Sequence, residues 1–150
     1  MEMNRNQVTS EQIVKLCRKA AAQGAVLLKN DDAVLPLLTN DHVAVFGRCQ
    51  KEYYRSGTGS GGAVNVPYIT ILLDGLRDNH ISLNEKLVNC YEKWIAEHPF
   101  DNGDGGWAKE PWCQQEMPVS KEFAAKIANT SNKAIVVFGR TAGEDKDNAA

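Results

Sequence analysis

Two nearly identical hexapeptides, VAVFGR (Val43 to Arg48) and IVVFGR (Ile135 to Arg140), recur in this chain. Each is a short, β-branched apolar run closed by glycine, as expected of a strand buried on both faces of a parallel sheet. Parallel neighbours need a long crossover between them, and helical patterns fill the interval. YITILLDGL (Tyr68 to Leu76) has a helical period, and NEKLVNCYEKWIAEH places Leu87, Cys90, Tyr91 and Trp94 on one side of an amphipathic helix. SKEFAAKIA reads as a further helix. Ahead of the first strand, Thr9 to Gln12 forms a T-x-x-Q capping box. Ile13, Leu16, Ala20, Gly24, Leu27 and Leu28 share a helical face, which predicts a helix running to about KNDD, with Pro36 preventing any continuation. The alternation predicts an α/β fold, a mainly parallel sheet flanked by helices, in a single domain over residues 1–150. Because the chain ends soon after a strand, in RTAGEDKDNAA, that domain is expected to be truncated at its C-terminal side.

Composition excludes several classes. A formal net charge of -2 gives no reason to expect nucleic acid or an anionic membrane as partner. No apolar run approaches the roughly 18 residues that span a bilayer. MEMNRNQVTSEQ lacks the basic and then apolar order of a secretory signal, so a cytoplasmic location is expected. Cys17, Cys49, Cys90 and Cys113 are scattered without a C-x-x-C, and His42, His80 and His98 lack ligand spacing. Reduced cysteines, no metal and no cofactor are the expectation.

RSGTGSGG (Arg55 to Gly62) contains G-x-G-x-x-G at Gly57, Gly59 and Gly62. A dinucleotide fingerprint needs its first glycine at a strand end and its last at a helix N-terminus. Here nine residues separate Gly47 from Gly57, and Pro67 biases Val66 toward extended backbone, so no helix opens at the last glycine. There is no G-K-[ST] either, and the phosphate reading fails. What remains is a loop beyond the carboxyl end of a strand, the edge where open α/β sheets hold ligands. Its glycines permit close backbone approach, and Thr58 and Ser60 can hydrogen-bond a hydroxylated ligand. A plain flexible turn is the alternative. Arg55 either shapes this loop or meets a ligand hydroxyl. From Pro99 to Pro118 the pattern dissolves into a long surface loop carrying Trp107 and Trp112, which either pin the loop to the body or stack on the face of a ligand. Arg48 and Arg140, each following a strand end, read as edge residues with no assigned role.

Four segments in order resemble the second, α/β sandwich domain of glycoside hydrolase family 3, bacterial β-glucosidases in particular. They are AAAQGAVLLKNDDAVLPL, VAVFGR with the SGTGSGG loop, PYITILLDGL, and AIVVFGRTAGEDKDN. The resemblance implies an enzyme in which a (β/α)8 barrel domain, absent from these residues, supplies an Asp nucleophile. The sandwich domain then supplies the general acid/base, which by matched position is Glu144. Ser60 matches a sugar-contacting residue, with Thr58 and Gly59 beside it in the substrate-binding loop. The implied reaction is retaining hydrolysis of terminal β-D-glucosyl residues from a β-glucoside or oligosaccharide, without metal or cofactor. β-Xylosidase or another family 3 glycosidase, and a non-catalytic carbohydrate-binding module, are the alternatives. The family's G-E-G-x-D-R reads GEDKDN here, with Asp145 for the second glycine and Asn148 for arginine, which leaves Asp147 without a clear role. A general acid must be protonated, so burial and a nearby nucleophile are expected to raise the Glu144 pKa.

Overall fold

The computed structural model describes residues 10–53, 68–105 and 109–140. The chain divides into two compact units, Met1–Pro36 and Leu37–Ala150.

In the first unit, α1 spans Ser10–Gly24 with no buried residue. It ends earlier than the periodicity predicts. Leu27 and Leu28 lie beyond it in irregular backbone, because Gly24 and the β-branched Val26 both weaken helix continuation. A short 3-10 turn, Asp31–Ala33, follows. Asn30 closes it: its amide nitrogen donates to the Leu35 carbonyl at 2.8 Å, and its oxygen accepts from the Leu35 N–H at 2.9 Å.

The second unit is built on a parallel sheet. Its strands are β1 (His42–Phe46), β2 (Ser82–Leu83) and β3 (Lys133–Val136), in the order β2-β1-β3. Its helices are α2 (Leu72–Asp78), α3 (Glu85–Glu97) and α4 (Lys121–Ala128). The two hexapeptides meet at Val45 opposite Ile135 and Phe46 opposite Val136, while Val43 stands opposite Lys133. They are therefore docked two residues out of phase with their own sequence match, a slip that keeps every side chain on its face.

Alternation along β1 splits the core. Val43 and Val45 pack with Leu73 and Leu76 of α2 and with Leu83, while Ala44 faces Leu87, Tyr91 and Ile127 of α3 and α4. The α2 region starts later than its sequence period suggests. Tyr68 to Ile71 are not helical, and the Asp74 carboxylate accepts from the Ile71 N–H at 3.2 Å to fix the start. α3 is capped by Asn84, which accepts from the Leu87 N–H at 3.1 Å, and α4 by Ser120, which accepts from the Phe123 N–H at 3.1 Å.

The amino ends of β1 and β3 are tied through Asp41 and Asn132. Asn132 accepts from the His42 N–H at 2.8 Å and donates to Asp41 at 3.1 Å. The Leu38 N–H, first, and then Lys133 and Asn132 hold the Asp41 carboxyl below its ordinary range, against the opposing effect of burial. None of the four cysteines is in a disulfide, and Cys49 is buried. No described helix is long and apolar enough to cross a membrane.

Candidate functional site

The carboxyl ends of β1 and β3 converge on a cleft of about 1050 Å³, lined by Phe46, Tyr91, Met117, Val136 and Phe138 with Asp101 and Glu116 among its polar groups. Gly47 sets how closely the two strands approach. It has φ +96°, and a Cβ there would stand 2.1 Å from the Val137 carbonyl oxygen. The Gly47 N–H, turned away from the ladder, donates to the Tyr91 hydroxyl at 2.8 Å. Burial pushes the Tyr91 pKa up and the Glu116 charge adds to this, while the Gly47 N–H opposes both.

Arg48 is no edge residue. Its side chain is 1% exposed, and every donor nitrogen of its guanidinium is engaged. Nε donates to Glu52 at 2.8 Å, Nη1 to the Gln115 carbonyl at 2.7 Å, and Nη2 to the His98 carbonyl at 2.9 Å and to Glu52. Its backbone N–H donates to the Glu116 carboxylate at 3.0 and 3.2 Å. The guanidinium carbon lies 5.4 Å from the Trp94 ring centroid, and the His98 ring stacks on the same indole at 4.3 Å. Two residues on, Gln50 is fully buried and donates to the Val45 and Gly47 carbonyls at 2.9 and 3.0 Å. Sequence reasoning missed both residues. The Arg48 and Glu52 spacing of four, just beyond a strand, was the available signal.

The segment predicted as a surface loop, Pro99 to Pro118, has no helix or strand among its described residues but is firmly tied. Gln114 is buried and pairs with the Asp101 backbone, accepting from its N–H and donating to its carbonyl, both at 2.7 Å. Gly103, at φ +65°, packs against Lys109, where a Cβ would meet the carbonyl at 2.4 Å. Trp112 is half-buried, and the Arg140 guanidinium carbon lies 5.6 Å from its ring centroid. Of the two readings of Trp112, the contact with Arg140 supports pinning.

The predicted site residues Glu144, Ser60, Thr58, Gly59 and Arg55 lie outside the described residues, as do Trp107, Asp145, Asp147 and Asn148. The strands that lead to them are described. In sequence the glycine loop follows β1 and Glu144 follows β3, and the two strands are hydrogen-bonded neighbours. Among the described residues no His, Cys, Asp and Glu cluster could hold a metal ion.

Comparison with known proteins agrees with this architecture. The chain is 51% identical over 128 residues to a β-glucosidase of Ruminococcus albus, covering 85% of this chain and 13% of that protein. The crystal structure of a β-glucosidase from Paenibacillus barengoltzii superposes with a TM-score of 0.88 at 63% identity, over 93% of this chain and 15% of that one. β-Glucosidase 3B of Thermotoga neapolitana, in complex with α-D-glucose, superposes with a TM-score of 0.73 at 29% identity, over 91% of this chain and 19% of that one. The chain thus spans less than a fifth of each of these relatives. The family model for the glycosyl hydrolase family 3 C-terminal domain matches residues 25–150, and the chain belongs to that family.

Proposed function

We propose that this domain works within a retaining β-glucosidase, supplying Glu144 as general acid/base and the Ser60 loop as part of the sugar site. One observation supports the reading: β1 and β3 are neighbouring parallel strands that end at the same edge of the sheet, and in sequence the glycine loop follows β1 and the Glu144 segment follows β3. Open α/β sheets hold ligands at that edge. The three relatives, each a β-glucosidase and one of them crystallised with glucose, support the same substrate class.

In this reading an Asp of the barrel domain attacks the anomeric carbon while protonated Glu144 gives its proton to the departing glycosidic oxygen. The carbon–oxygen bond breaks and a covalent glycosyl-enzyme forms. The Glu144 carboxylate then takes a proton from water as that water attacks the same carbon and the bond to the Asp breaks, freeing its carboxylate and releasing glucose with its configuration retained. Ser60 and the backbone at Gly59 meet sugar hydroxyls, beside Thr58 and Arg55.

The test is Glu144→Gln in the full-length enzyme. General acid catalysis contributes about 10²–10⁴-fold and matters most for poor leaving groups. The value of kcat/KM should therefore fall far more for cellobiose than for a dinitrophenyl β-glucoside. Azide, which needs no general base, should raise turnover of the aryl substrate and yield a β-glucosyl azide. Equal losses on both substrates, without azide rescue, would move the acid role to another carboxyl, Asp147 first.

A further inference from the structure

The Pro99 to Pro118 segment is held by Arg48, just beyond β1, and through Trp112 it touches Arg140, the last described residue after β3. Arg48 binds the carbonyls of His98 and Gln115, and its N–H binds Glu116. Within the segment, Gln114 is tied to the Asp101 backbone. Trp112, two residues before Gln114, meets the guanidinium of Arg140 at 5.6 Å. A chain of contacts thus runs from the buried Arg48, through the fixed 112–116 stretch, to Arg140.

We infer that Trp112 is a positioning residue for the acid/base, acting through Arg140; this rests on the reading of Glu144 given above. Arg140 precedes Glu144 by four residues, a stretch that can reach about 14 Å at most when fully extended. Fixing Arg140 restricts where those four residues begin. A planar guanidinium over an indole is a contact that lysine or an aliphatic side chain reproduces poorly. Trp112 itself is held by a segment with little freedom, because Arg48 and Gln114 immobilise the backbone on its C-terminal side. Proton transfer to a leaving oxygen depends steeply on placement, and a misplacement of about 1 Å can cost about 100-fold.

The experiment uses the full-length enzyme with Trp112→Leu, Trp112→Phe, Arg140→Met and Glu144→Gln, assayed on cellobiose and a dinitrophenyl β-glucoside across pH, with and without azide. Trp112→Leu and Arg140→Met should lower kcat/KM for cellobiose by about 10- to 100-fold and for the aryl glucoside by no more than about 2-fold. Both should displace the basic limb of the pH profile and show azide acceleration with the aryl substrate. Trp112→Phe keeps a ring for the cation and should recover most of the loss. A higher KM for cellobiose alone, with the pH profile unmoved, overturns the inference and makes Trp112 a sugar-stacking residue. Equal losses on both substrates overturn it as well. If Glu144→Gln gives no leaving-group signature, the acid/base reading falls and this inference with it. If Glu144→Gln gives the signature and the Trp112 and Arg140 variants do not, only the positioning role is lost.

Discussion

Gly47 and Val137 stand so close that the α-hydrogen of the glycine takes the place where any side chain would strike the Val137 carbonyl oxygen, 2.1 Å from the Cβ position. Two constraints coincide there, a left-handed φ and a backbone contact. Gly47→Ala should destabilise the domain by at least about 2 kcal/mol, since it adds backbone strain and overpacking together. Calorimetry of the full-length enzyme should show a lower transition temperature for this domain, and an unchanged transition would contradict the contact.

Arg48→Lys should not be conservative. Lysine presents one ammonium where the guanidinium serves Glu52 and two carbonyls along a planar fork. Arg48→Met leaves Glu52 and both carbonyls short of a donor and should cost about 3 kcal/mol, with Arg48→Lys intermediate. Thermal unfolding with limited proteolysis between Pro99 and Pro118 checks this. A protection pattern identical to wild type would mean that Arg48 does not hold the segment.

Tyr91→Phe removes the acceptor for the Gly47 N–H and should cost about 1–3 kcal/mol near neutral pH, because a buried donor is left without its partner. It should also change the alkaline response. The Tyr91 pKa is raised in the folded state, so its contribution is fully present below the unfolded tyrosine value and is lost as pH rises beyond it, where the unfolded chain ionises first. The stability difference between wild type and Tyr91→Phe should therefore narrow above about pH 10. Urea titrations at pH 7 and at alkaline pH measure it, and a constant difference would refute the assignment.

Ser60→Ala in the full-length enzyme should lower kcat/KM by about 2- to 12-fold, the effect of losing one neutral hydrogen bond worth about 0.5–1.5 kcal/mol. Kinetics indistinguishable from wild type on several glucosides would return the glycine loop to a plain turn.

The sheet was readable because its strands are concentrated apolar runs. VAVFG forms β1, buried on both faces at Val43, Ala44 and Val45, whereas IVVFG gives only Ile135 and Val136 to β3, and one face of that strand is exposed, Val136 at 55%. β2 was not readable, since Ser82–Leu83 is two residues long and carries no period. The end of α1 was misjudged because a helical face can be continued on paper through Gly24, while the backbone there favours stopping. Arg48 and Gln50 were passed over because charged and amide side chains after a strand usually meet water. Their burial depends on the carbonyls of His98, Gln115 and Val45, relationships that a linear pattern does not contain.

The slipped pairing of the two hexapeptides has a further result. With Phe46 opposite Val136, the Gly-Arg pair that ends the second repeat stands two residues beyond the pair that ends the first, a difference of up to about 7 Å of extended chain. Phe138, 91% exposed, belongs to that overhang. Near-duplicate sequences are thus launched from unequal heights, like two jetties of different length on one shore. The inequality is set by the sheet, so insertions or deletions in either following loop would leave it intact, and the two loops can change independently without losing their relative depth.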